Sequence, residues 1–312
     1  MRVAVVDIGT NSTRLLIADV DPDTSTVTEL ERRTTITRLG QGVDQSGALA
    51  PEAMERVFAA LTEYREAIDA HGVTATTAVL TSAVRDATNG EEFTEIVRTR
   101  FGLEARSITG DEEAQLTYRG ATSERDADDG RRLVVVDVGG GSTEFVVGTG
   151  AGADANVEFH VSTQAGVVRQ TERFLHSDPP KPEELDQLSA EAREIFRGVV
   201  AAAPPVDAGI AVAGTATSCA AILQELDPYD PARVHGFRLR DSDLETLLAR
   251  LAAMTDEERR HVTGLDPGRA PAIVAGVALL IEALRVFGLD EVEVSEHDIL
   301  RGAALERAAA AR

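Results

Sequence analysis

The chain has 312 residues, 43% hydrophobic and 27% charged, enough apolar material for two domains with sizeable cores and too much for a disordered chain. A formal net charge of −22 disfavours sequence-independent nucleic-acid binding, which depends on excess basic charge. A lone cysteine, Cys219, excludes an intramolecular disulfide, and the longest apolar run, residues 270–281, is too short to span a bilayer; with an N-terminus that passes straight into a strand, the expectation is a cytoplasmic protein without a membrane partner.

In chain order, residues 2–8, 13–20 and 26–37 predict three successive strands, the first two joined by a turn at Asp7–Ser12. Residues 51–71 predict a helix, with Pro51 in the first turn and Met54, Val57, Phe58, Leu61 and Ile68 at helical spacing. A strand over 73–80 leads to Thr81 and Ser82, either of which can cap a short helix carrying Arg85. A helix at 91–100, a strand at 103–108 and a helix at 110–120 complete a βββαβαβα order. Residues 122–131 are polar and mark a boundary, so the expected domains are 1–126 and 127–312.

The second half opens in the same way, with strands at 132–138, 142–149 and 156–162, then helices at 164–176 and 181–200. A buried strand at 208–213 ends in Gly214-Thr215-Ala216-Thr217-Ser218, a glycine-threonine turn expected to precede a helix over 220–226. Helices at 241–253, 255–261 and 270–287, a strand at 291–295 and a helix at 297–310 close the chain. The segment 297–312 is expected to pack back toward the first domain.

The chemistry concentrates in Asp137-Val138-Gly139-Gly140-Gly141-Ser142-Thr143-Glu144, a glycine turn between two apolar strands. Adjacent glycines permit positive φ and let backbone N–H groups approach an anion, and Ser142 and Thr143 add hydroxyl donors. Carboxylates beside an anion-binding turn make sense if a divalent cation bridges them to a phosphate. The pattern recurs 130 positions earlier, with Asp7, Gly9, Ser12 and Thr13 matching Asp137, Gly139, Ser142 and Thr143. Duplicated phosphate hairpins opening the two halves imply a ligand clamped between two lobes. Of 31 basic residues 30 are arginine and one is Lys181, so any phosphate clamp is built from planar guanidinium groups.

Gly110-Asp111-Glu112-Glu113-Ala114 begins a helix with three acids in its first turn. Such acids favour the helix dipole without further purpose, or one of them serves as a general base for water. Spacing alone leaves both readings open. No Gly-x-x-x-x-Gly-Lys-Ser/Thr loop and no Gly-x-Ser-x-Gly elbow is present, which excludes P-loop and nucleophile-elbow enzymes.

Taken together, Asp7-Ile8-Gly9-Thr10-Asn11-Ser12, Thr81-Ser82-Ala83-Val84-Arg85, Ile108-Thr109-Gly110-Asp111-Glu112-Glu113-Ala114, the Asp137–Glu144 stretch, Gly166-Val167-Val168-Arg169, Gly214-Thr215-Ala216-Thr217 and Pro267-Gly268-Arg269-Ala270 resemble, in order, the exopolyphosphatase/guanosine pentaphosphate phosphatase (Ppx/GppA) family. The resemblance implies an α/β fold of two ribonuclease-H-like lobes, of the actin/hexokinase/Hsp70 superfamily, with an interlobe active-site cleft. It implies that Glu113 is the catalytic base. Asp137 and Glu144 would be the metal-site carboxylates, with Asp7 a further contributor, for magnesium or manganese. Phosphate contacts would come from Asn11, Ser12, Arg85, Gly139, Gly140, Gly141, Ser142 and Arg269.

The implied substrate is inorganic polyphosphate, with shorter chains favoured because the chain ends at residue 312 without the helical extension of the long family members. Guanosine pentaphosphate (pppGpp) is the alternative substrate, and a homodimer is the assembly the family suggests, with the apolar helix 270–287 either core or interface. Thr109 stands where the family motif has serine, keeping the hydroxyl. The rival from another class is a nucleotide-binding kinase or actin-like protein of the same fold. Glu113 argues against a filament protein, and no aspartate base for a kinase acceptor can be identified.

Overall fold

The computed structural model describes residues 1–22, 24–125, 130–152 and 155–311, the side chain of Asp44 excepted. The expected boundary between 126 and 127 lies outside the described residues. The chain forms two compact units, residues 1–127 with 151–155 and 297–312, and residues 128–150 with 156–296.

The first unit opens with β1 (Arg2–Ile8), β2 (Ser12–Asp21) and β3 (Thr26–Ile36), followed by the single turn α1 (Val43–Ser46) and the long α2 (Pro51–Ala70). Then come β4 (Ala75–Leu80), α3 (Ser82–Asp86), α4 (Gly90–Phe101), β5 (Ala105–Ser107) and α5 (Gly110–Ala121), and α13 (Ile299–Ala309) is added from the end of the chain. The five-stranded sheet has the order β3-β2-β1-β4-β5, antiparallel across β3, β2 and β1 and parallel across β1, β4 and β5.

Strand β1 shows why its sequence lacks alternation. Ala4, Val6 and Ile8 pack on the face that buries Val57, Phe58 and Leu61 of α2, whereas Val3 and Val5 pack on the face covered by Leu300, Ala303 and Ala304 of α13. A strand buried on both faces needs apolar residues at every position. Strand β5 covers three residues rather than the six expected, because Leu103 and Ile108 enter the core from outside the ladder.

The second unit runs β6 (Leu133–Val138), β7 (Thr143–Thr149), β8 (Asn156–Thr163), α6 (Val167–Phe174), α7 (Pro182–Val200), β9 (Ala208–Val212), α8 (Ala213–Leu223), α9 (Pro231–Val234), β10 (Arg238–Arg240), α10 (Asp241–Ala252), α11 (Asp256–Arg259), a 3-10 turn (Pro267–Arg269), α12 (Ile273–Phe287) and β11 (Glu291–Val294). Its sheet order is β10-β11-β9-β6-β7-β8. Read from β8, the antiparallel trio β8-β7-β6 followed by parallel β9 and β11 repeats the order of the first unit, with β10 added at the edge. The two-unit α/β, ribonuclease-H-like class expected from the sequence is what the chain adopts. Every residue from Ile273 to Leu284 of α12 is buried within its own unit, so this helix is core. Its one acid in that stretch, Glu282, is held by two 2.8 Å hydrogen bonds from Arg193. Among the described residues no helix is long and apolar enough to cross a membrane.

Candidate active site

The turn between β6 and β7 is closed by Gly139 N–H donating to Ser142 O at 3.0 Å. Outward from the turn, Asp137 faces Glu144 across the hairpin. Like charges directly opposite destabilise a ladder, so this pairing is costly unless a cation offsets it. Glu144 is buried and accepts from Ser162 Oγ at 2.7 Å, which orients it. A Cβ on Gly139 would sit 3.9 Å from Asp137 Oδ1 and 4.0 Å from Glu144 Oε2, so the missing side chain leaves the carboxylates unobstructed.

The glycines act differently from expectation. None of Gly139, Gly140 and Gly141 lies in the left-handed region. The turn instead receives the start of α6, whose first amides donate to it: Val167 N–H to Gly139 O at 2.9 Å and Val168 N–H to Gly140 O at 2.8 Å. Gly166 touches the turn so closely that a Cβ there would lie 2.3 Å from the Gly141 carbonyl carbon and 2.4 Å from both Gly140 O and Ser142 N.

The first unit repeats the turn, with Gly9 N–H donating to Ser12 O at 2.9 Å. Thr37 and Arg38 amides donate to Asn11 O, and Thr10 Oγ1 meets Ser82 Oγ at 2.9 Å, so the turn is tied to the end of β3 and to α3. The cross-strand partner of Asp7 is Arg14, in the position that Glu144 holds in the second unit. Arg14 Nε and Nη2 reach Asp7 Oδ2 at 2.9 and 2.7 Å, and its Nη1 pairs with Asp298, the N-cap of α13. Burial pushes the Asp7 carboxyl above the ordinary carboxylate range against the pull of Arg14. Burial would also raise Asp298, but Arg14, Arg32 and the Leu300 amide together bring it below that range. Asp7 Oδ1 is buried and has no hydrogen-bond partner.

The three acids at the start of α5 are sorted by local geometry. Thr109 caps the helix, accepting from Glu112 N at 3.2 Å, and Glu112 returns Oε2 to the Thr109 amide at 2.9 Å, a reciprocal capping box. Glu112 thus serves the helix end and Arg106, while Asp111 is exposed. Glu113 alone is buried, with Arg85 Nη1 donating to Oε2 at 3.1 Å. The same nitrogen donates to Ile108 O at 3.1 Å, which fixes the guanidinium against the approach to α5.

The segment after β9 is helical from Ala213, so Gly214–Ser218 forms the first turns of α8 rather than a loop before a helix at 220. Ala213 takes φ 62, a left-handed conformation that costs roughly 1–2 kcal/mol in a non-glycine residue and carries no sequence signal. Thr215 Oγ1 donates to Val138 O at 3.0 Å and pins α8 to the end of β6. The Arg269 guanidinium occupies the space beside Gly214 where a side chain would stand: a Cβ would come 1.4 Å from Nη1.

The structure therefore brings Arg85 to Glu113 in the first unit. In the second it brings Asp137 to Glu144 at the Gly139–Ser142 turn, and Arg269 to the start of α8. In the second unit the donors at Asp137, Glu144 and Ser162 are all oxygen, the type that a hard divalent cation such as magnesium or manganese takes; in the first unit the orphaned donor, Asp7 Oδ1, is likewise an oxygen. The sequence reasoning missed Arg14, although counting ladder pairs outward from each turn sets it opposite Asp7 where the duplicate has an acid. It also missed Asp298, whose pairing across 284 positions has no local signal.

Comparison with known proteins identifies the family. Residues 16–307 match the model of the Ppx/GppA phosphatase family. Exopolyphosphatase 2 of Mycobacterium tuberculosis is 40% identical over 320 residues, covering 98% of each chain. A crystal structure described as an exopolyphosphatase-like protein superposes with a TM-score of 0.92 at 34% identity over 100% of both chains. The Aquifex aeolicus Ppx/GppA family member superposes with a TM-score of 0.81 at 32% identity, covering 98% of this chain and 97% of that one. With the family model spanning nearly the whole chain, the protein belongs to the Ppx/GppA phosphatase family.

Proposed function

We propose that this protein is an exopolyphosphatase that releases terminal orthophosphate from inorganic polyphosphate. The observation that carries the reading is the sorting of the α5 acids, which leaves Glu113 as the one carboxylate neither spent on capping nor exposed and sets it against Arg85. Glu113 accepts a proton from water as the water oxygen bonds to the terminal phosphorus. The bond from that phosphorus to its bridging oxygen breaks, and the shortened chain leaves carrying the electron pair. Products are orthophosphate and a chain one phosphate shorter.

Asn11, Ser12, the Gly139–Ser142 turn and Arg269 hold phosphate oxygens, and Arg85 both orients Glu113 and balances charge on the transferring group. Asp137 and Glu144 would hold magnesium or manganese, and in the first unit Asp7 offers its uncommitted oxygen to such an ion, which when bound would supply charge neutralisation for the polyanion. Polyphosphate is favoured as substrate by the full-length similarity to a relative named exopolyphosphatase. Guanosine pentaphosphate presents the same terminal anhydride. The test is product-length analysis on polyphosphates of defined length, with guanosine pentaphosphate and ATP in parallel. Stepwise loss of single phosphates from polyphosphate supports the proposal, and turnover of either nucleotide alone overturns it.

A further inference from the structure

The final helix, α13, grips the first unit at two places that bear on the proposed chemistry. At its N-terminus, Asp298 accepts from the Leu300 amide as N-cap and pairs with Arg14, whose other nitrogens hold Asp7 Oδ2. All three side chains are largely buried, at 13% exposure for Arg14, 6% for Asp7 and 4% for Asp298. Along its length α13 lies backbone-to-backbone on α5. A Cβ on Gly120 would come 1.9 Å from Asp298 O, and one on Gly302 would come 1.9 Å from Leu116 O. The helix that carries Glu113 in its first turns and the strand that carries Asp7 near its end are thus braced by one element.

The duplicated hairpin shows what the ion pair does. In the second unit the position opposite the strand-end aspartate is the acid Glu144; in the first it is Arg14, which takes one oxygen of Asp7 and leaves Oδ1 buried without a partner. Two guanidinium nitrogens on Oδ2 pin that oxygen, and with Cβ held by the strand this narrows where Oδ1 can point, while Asp298 holds Arg14 from its other side. A lone buried oxygen is costly, so this arrangement is not what stability by itself would select.

We propose that Arg14 and Asp298 are positioning residues that aim Asp7 Oδ1, and that through them α13 belongs to the functional machinery rather than only to the core. The proposal rests on the reading of Asp7 as a magnesium-site contributor. Partners one step behind a metal-binding group are worth roughly 10–100-fold in metal affinity when removed.

The experiment is a double-mutant cycle on the full chain with Asp7→Asn, Asp298→Asn and the pair. Each variant is followed by the magnesium concentration giving half-maximal rise in Tm, and by kcat and KM for phosphate release from polyphosphate. Asp298→Asn alone is expected to raise the magnesium midpoint about tenfold and to lower kcat more than it raises KM. On the Asp7→Asn background it is expected to add less than about twofold, because both changes act through one oxygen. Arg14→Lys keeps the charge but not the fork and is expected to shift the magnesium midpoint in the same direction, which covers the case of an unfolded Asp298 variant.

The proposal is overturned if Asp298→Asn or Arg14→Lys lowers Tm while leaving the magnesium midpoint and kcat at wild-type values. Independent multiplication of the two losses in the double variant overturns it too, as does a wild-type protein whose Tm is indifferent to magnesium. The magnesium measurement uses no polyphosphate, so a wild type that releases no phosphate refutes the proposed substrate while the cycle still decides on the brace.

Discussion

Replacing Gly166 by alanine adds one carbon at a position whose φ of −110° and ψ of 165° suit any residue, so every consequence is one of packing. The new Cβ would stand 2.3 to 2.4 Å from three backbone atoms of the Gly140–Ser142 turn, roughly 1 Å inside van der Waals contact. Backbone cannot rotate away as a side chain can, so either the turn or α6 must move by about that distance. Overpacking of this kind costs about 1–3 kcal/mol. Moving α6 also stretches the Val167 and Val168 hydrogen bonds to the turn, at about 1 kcal/mol each.

A total of about 3–5 kcal/mol corresponds to a drop in Tm on the order of 6–20 °C for a domain of this size. The internal control is Gly198→Ala, where a Cβ in helix α7 meets nothing within 4 Å and alanine's helix propensity stabilises by up to about 1 kcal/mol. Calorimetry on both variants, with phosphate release measured below each Tm, separates the cases. Wild-type Tm and activity in Gly166→Ala would refute the claim that Gly166 is a glycine because α6 and the turn approach so closely there.

Gly214→Ala is expected to leave Tm unchanged or raised, since only the far end of Arg269 must move, yet to raise KM for polyphosphate as Arg269→Ala does; equal KM in all three proteins would remove Arg269 from the site. Glu144→Gln relieves the like-charge pair, so the metal-free protein should gain up to about 1 kcal/mol while the magnesium-induced rise in Tm shrinks, both readable by thermal shift. Glu112 has its carboxyl held below the ordinary range, first by the Thr109 amide and then by the Thr109 hydroxyl and Arg106, with burial opposing. A lowered pKa in the folded state gives stability that is present above the unfolded value, about pH 4.3, and lost as pH falls through the folded one. Unfolding profiles should therefore show a shallower acid limb in Glu112→Gln than in wild type.

Much of the fold was legible because the opening strands are dense in β-branched residues and the glycine turns punctuate them twice in register. What remained hidden was hidden for physical reasons. Asp111, Glu112 and Glu113 are equivalent by composition and become distinct only when the capping box consumes Glu112 and the helix turns Glu113 inward. The start of α8 was misread because Gly214 looks like a turn residue, whereas the unusual conformation belongs to Ala213 and the glycine serves the guanidinium lying on it. Strand β10 is three residues long with only Leu239 buried, too short for a periodic signal. The link from Asp7 through Arg14 to Asp298 joins the two ends of the chain, and no local pattern anticipates it.

The central claim is that Glu113 removes the proton from the attacking water. Its most direct test is single-turnover phosphate release from polyphosphate by Glu113→Ala, with folding verified by an unchanged near-ultraviolet spectrum. A positioned general base contributes roughly 10²–10⁴-fold, so the rate should fall by that factor while polyphosphate still binds. A folded variant that releases phosphate at near wild-type rate would contradict the account.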